Sequence, residues 1–116
     1  MRALILAGLA LALAAPAIAA PVRGRCLIEV GGRKYLDGTC PTQESDGMLT
    51  VGVGVGRLKP TKFYAYVNIN DDGNTARGTW NGIGAASHAH DELGELKREG
   101  SACWVNSTAK VCAWVP

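Results

Sequence analysis

The residues best suited to chemistry are His88-Ala89-His90-Asp91-Glu92. In an extended segment, His88 and His90 point to the same side, and two residues advance roughly 6.6 Å. Two imidazoles with the Asp91 carboxylate form a partial donor set for zinc, copper or nickel. No further ligand can be placed beside them, so the ordinary expectation is a polar loop with two solvated histidines and no cofactor. Asn68, Asn70 and Asp72 sit at alternate positions before Gly73, as in the first half of a calcium loop. The first position lacks a carboxylate and the twelfth is Thr79, so the charge is too low for calcium. An Asp-Gly hairpin turn is the simpler reading.

Nucleophilic catalysis finds little support. There is no G-x-S-x-G, and Ser87 beside His88 is a neighbour in sequence rather than an oriented pair. Asp71-Asp72 and Asp91-Glu92 are adjacent carboxylates, whereas a glycosidase needs two about 5–9 Å apart across a cleft. The chain is therefore expected not to be an enzyme. Aromatic residues are the other candidates. Tyr64 and Tyr66 share a strand face, and with Trp80, Asn81 and Ser87 they could form a recognition surface.

The elements that must position these groups come from a short chain. It has 116 residues, 12 Lys+Arg against 10 Asp+Glu, and 47% hydrophobic residues. The hydrophobic content is concentrated at the start. Met1-Arg2 is followed by an Ala/Leu run from Ala3 to Ala15, then Pro16 and Ala17-Ile18-Ala19-Ala20. This is the order of a secretory signal peptide. The run is shorter than the roughly 20 residues that span a bilayer. Residues 1–20 are thus read as a leader of Gram-negative style. Residues 21–116 are read as one small domain, periplasmic or secreted, with no membrane span after cleavage. Loss of Arg2 lowers the net charge from +2 to +1, which leaves no footprint for nucleic acid.

Four cysteines follow the leader: Cys26, Cys40, Cys103 and Cys112. An even number in an exported small domain reads as two disulfides. Sequence allows three pairings. A hairpin centred on Ser107-Thr108 favours one, because it sets Cys103 opposite Cys112 and Trp104 opposite Val111. Cys26 and Cys40 then pair. With no C-x-x-C, neither a zinc knuckle nor a thioredoxin-like site fits.

Strand signals dominate the remainder. Gly31-Gly32 joins Cys26–Val30 to Arg33–Leu36, placing Ile28 opposite Tyr35 and Glu29 opposite Lys34. Asp37-Gly38 reads as a turn and residues 40–47 as a loop. From Met48 to Gly56, Leu49, Val51, Val53 and Val55 fall on one face, with glycines on the other. Residues 62–70 alternate, with Phe63, Ala65, Val67 and Ile69 inward. After a turn at 71–74, residues 75–81 return with Ala76, Gly78 and Trp80 inward. Residues 82–91 read as loop with at most one short helical turn, followed by strands at 95–98, 102–105 and 111–115. The class is all-β, a small antiparallel barrel or sandwich of seven or so strands, stapled by two disulfides.

The stretch Arg25–Pro41, Trp80-Asn81-Gly82 with Ser87-His88-Ala89-His90, and Gly100-Ser-Ala-Cys-Trp-Val-Asn together resemble small exported bacterial proteins of unknown function. The resemblance covers most of the chain after the leader and implies no activity. In size, destination and class the chain is also similar to small bacterial lysozyme inhibitors, although their loop motifs are missing. The expectation is a binding module that presents loop 82–92 to an envelope or extracellular protein. The alternatives are metal binding through His88 and His90, and a structural role in the envelope.

Overall fold

The computed structural model describes residues 21–115; the proposed leader lies outside them. Eight strands follow one another along the described chain: β1 Val22–Val30, β2 Arg33–Ser45, β3 Met48–Val51, β4 Ala65–Ile69, β5 Thr75–Trp80, β6 Asp91–Glu99, β7 Cys103–Val105 and β8 Ala109–Trp114. Each pairs antiparallel with the next, and β8 returns to β1, so the sheet closes into a barrel. The described residues contain no helix. At 81–86 the backbone makes only a turn, with Ala85 N–H donating to Gly82 O and Ala86 N–H to Asn81 O, both at 2.9 Å.

Alternation sorts the side chains. Ile28, Val51, Ala65, Val67, Ala76, Leu96 and Val111 are fully buried and fill the interior with Trp80, Leu93 and Trp104. Outward positions carry ion pairs, Arg25–Asp37 at 2.9 Å and Arg77–Glu92 at 3.3 Å among them. At such exposure these pairs act more on solubility than on stability.

Both disulfides form as the favoured pairing requires, Cys26–Cys40 and Cys103–Cys112. They differ in setting. Cys103 and Cys112 face each other directly across β7 and β8 and join Leu27 in a small apolar cluster separate from the main core. Cys26 and Cys40 belong to the main core and bridge diagonally, Cys26 lying opposite Gly38 and Cys40 opposite Gly24. The two bridges close loops of 9 and 14 residues. By loop-closure entropy each contributes about 2.5–3 kcal/mol.

Several strand boundaries depart from the sequence expectations. Asp37-Gly38 is no turn: β2 runs through it to Ser45, and the chain reverses at Asp46-Gly47 instead. The expected loop at 40–47 is thus mostly strand. A bulge at Tyr35 moves Leu36 opposite Ile28, while Glu29 stays opposite Lys34. β3 stops at Val51 rather than Gly56, since Gly52 has a φ of +81°. A Cβ at Gly52 would collide with Thr61 and the Phe63 carbonyl, so the chain can fold back there only on glycine. Val53 and Val55 leave the sheet and join a loop closed by the Val55–Leu58 bridge. β6 starts four residues earlier than expected, at Asp91, and a bulge near Gly94 keeps both Leu93 and Leu96 inward.

Candidate functional site

The up-and-down order sends the turns to two mouths. One mouth collects the turns at 31–32 and 106–108 with the long loops 52–64 and 81–90. The other collects the turns at 46–47, 70–74 and 100–102, together with Val22 and Trp114.

The first mouth is plugged. Tyr35, Phe63 and Trp80 enter from three parts of the chain, with ring centroids 5.1 Å apart for Tyr35–Phe63 and 4.9 Å for Tyr35–Trp80. Such contacts add to the area that the rings bury. Over this plug lies Asn81, only 3% exposed. Its Oδ1 accepts from the Tyr64 N–H at 2.9 Å, and its Nδ2 donates to the carbonyls of Lys62 (2.9 Å) and Ala86 (3.1 Å). One buried amide thus ties loop 52–64 to loop 81–90. The Tyr64 hydroxyl adds a second tie, donating to Ser87 O at 2.7 Å. Next to Asn81, Gly82 has a φ of +80°, and a Cβ there would run into the Asp91 carboxylate. Glycine lets the loop turn tightly against the start of β6.

These contacts assign the expected surface residues. Trp80 and Asn81 are buried, so they hold the loop and do not face a partner. Tyr64 and Tyr66 are half-buried and edge-to-face at 6.4 Å. They line an open groove of about 470 Å³ with Val53, Val55, Leu58 and Pro60. Ser87 is exposed and offers its carbonyl to Tyr64. His88, His90 and Asp91 are exposed, and His90 Nε2 lies 3.8 Å from Asp91 Oδ1. Among the described residues no three His, Cys, Asp or Glu side chains come together as a donor set for a metal ion. In the turn at 70–74, Asp72 accepts from the backbone N–H groups of Asn74 and Thr75 at 2.8 and 2.9 Å, and from the Thr75 hydroxyl. These bonds hold its carboxyl below the usual Asp range. This carboxylate serves the hairpin turn.

Sequence reasoning misses two features. The first is Ile83, 70% exposed on loop 81–90, the most exposed large hydrophobic residue among the described residues. Its signal is an isolated isoleucine between two glycines, with no strand alternation to bury it. The second is the open mouth. There Arg98 lies over the Trp104 ring at 4.4 Å and lines a cleft of about 520 Å³. Its signal is its place two residues after inward-facing Leu96.

The chain matches no protein-family profile, no curated protein and no solved structure. Two formed disulfides point to an oxidising compartment. Among the described residues, no helix is long and apolar enough to cross a membrane.

Proposed function

We propose that this protein is an exported, non-enzymatic binding module of the bacterial periplasm or extracellular space, and that loop 82–92 is its contact surface for a protein partner. The observation that carries this reading is the clasp by Asn81 beneath an exposed Ile83. A loop fixed from below loses little conformational entropy on binding. A large apolar side chain held out on such a loop is suited to act as an anchor in a partner's pocket. The Tyr64–Tyr66 groove borders the same mouth and widens the surface with amphipathic rings. A signal-like leader and two disulfides support export.

The test uses the oxidised protein with a photo-crosslinking residue at position 59, exposed on the neighbouring loop and outside the residues to be replaced, incubated with periplasmic extract and with purified lysozymes, the latter also assayed for inhibition. The expected result is a discrete crosslinked partner, lost on replacement of residues 82–92 by alanine and weakened at least tenfold by Ile83→Ser. An alanine-substituted loop that binds as tightly as the parent would remove this function.

A further inference from the structure

The mouth opposite the loop has the makings of a small-molecule site. Its cleft of about 520 Å³ falls within the roughly 300–1,000 Å³ typical of ligand pockets, and the mouths of β-barrels are among their usual places. The lining is mainly apolar. Val22, Ala102, Ala113 and Val115 contribute accessible aliphatic surface, and Leu49 and Trp104, 7% and 2% exposed, form the floor. Val115, 62% exposed, adds open apolar surface at the rim.

Arg98 provides the polar contact. Its Nε donates to the Gly73 carbonyl at 2.9 Å, and its guanidinium rests on the Trp104 ring. These two contacts fix the plane of the group. They leave the paired Nη nitrogens, the edge that receives a carboxylate in two parallel hydrogen bonds. Among the described residues no carboxylate stands within ion-pair reach of Arg98. Glu44 lines the same cleft but lies beyond that distance. A ligand with one acidic end therefore meets attraction at Arg98 and repulsion at Glu44, which sets its direction.

We propose that this cleft binds a small monocarboxylate with a compact apolar body, the acid on Arg98 and the body against Trp104, Leu49 and Ala113. The site is independent of loop 82–92, so either can fail without the other.

The test is a titration of the oxidised, isotope-labelled protein with 4-phenylbutyrate, followed by amide and indole NMR shifts, with neutral 4-phenylbutan-1-ol as the counterpart. The expected result is saturable shifts at Leu49, Trp104 and Ala113, with the alcohol about tenfold weaker, as the loss of a charge-assisted contact implies. R98Q should erase the difference between acid and alcohol, and R98K should retain part of it. E44Q should tighten the acid about twofold by removing a screened repulsion. If R98Q perturbs the fold, E44Q and the acid–alcohol pair on the parent still decide. Shifts that never saturate, shifts centred on loop 82–92, or equal affinity for acid and alcohol in the parent would overturn the proposal.

Discussion

The two mouths of this barrel are built on opposite plans. At one, three aromatic rings fill the lumen and a buried asparagine ties two long loops above them. At the other, a single indole is covered by one arginine, and aliphatic side chains stand exposed around a cleft. The first arrangement spends its polar groups internally, on hydrogen bonds that hold shape. The second leaves the Arg98 guanidinium without a carboxylate partner among the described residues, although it lines the cleft. A sealed end can display a rigid loop to a large partner, whereas an open end can admit a small one. The barrel wall lets the two coexist, since the strands between them are cross-linked by interior packing and by both disulfides.

The strongest test of this contrast is Trp80→Ala. Removing a core tryptophan costs about 3–5 kcal/mol. Here it also takes a ring partner from Tyr35 and Phe63. Chemical denaturation should show the loss. Hydrogen exchange should show protection falling first at 62–65 and 81–87, with residues around Trp104 changing less. Equal loss at both mouths would mean that the plug stabilises the whole lumen and that the ends are not separate.

Asn81→Ala comes next. It would leave the Tyr64 N–H and the Lys62 carbonyl without their partner in a part-buried place. Unmet groups of this kind cost about 1–3 kcal/mol each, less where water reaches them, so a total near 3 kcal/mol is expected. The variant should also bind the loop's partner more weakly although no contact residue has changed. Full binding with lowered stability would show that the clasp serves the fold alone.

How far these features could be read from sequence follows from how local they are. The Cys103–Cys112 pairing is legible because a short hairpin fixes its own register, and Trp104 opposite Val111 comes with it. The inward faces of β4 and β5 are legible because period-two alternation is unbroken there. Alternation fails where a residue is inserted. The bulge at Tyr35 shifts Leu36 onto Ile28, and the bulge at Gly94 puts Leu93 and Leu96 on one side at an odd spacing. Asp37-Gly38 carries a turn signal, but pairing with β1 overrides it. The candidate sites are less legible still. Asn81 reads as a surface residue, since nothing local reveals that the Lys62 and Ala86 carbonyls converge on it. Arg98 over Trp104 is a pairing across strands, visible only once the register of β6 and β7 is known.

Arg98→Ala tests the open mouth from the side of stability. The stacked guanidinium contributes about 1 kcal/mol at an exposed site, so thermal unfolding should fall by far less than in Trp80→Ala. Trp104 fluorescence should change as water gains access to the ring. A loss comparable to that of Asn81→Ala would make Arg98 a structural lid and weaken the case for a ligand there.

The smallest effect belongs to Asp72, and it bears on how Arg98 is held. The turn that Asp72 organises carries the Gly73 carbonyl, which accepts from Arg98 Nε, and the Asn74 carbonyl, which accepts from Arg98 N–H. Hydrogen bonds from the backbone N–H groups of Asn74 and Thr75, and from the Thr75 hydroxyl, hold the Asp72 carboxyl below its usual value of 3.8. A depressed carboxyl contributes stability that is present above that usual value and is lost as pH falls through the lower folded one. Asp72→Asn can keep an amide oxygen in the turn while removing the charge. The variant should therefore melt slightly below the parent at neutral pH, and the two should converge as the solution is acidified below 3.8. Over the same acid range the parent should show faster exchange at Asn74, Thr75 and Arg98, while the clasp at Asn81, an amide bonded to backbone groups, stays protected. A difference in melting that persists unchanged into acid would place the effect in the shape of the turn and not in its charge.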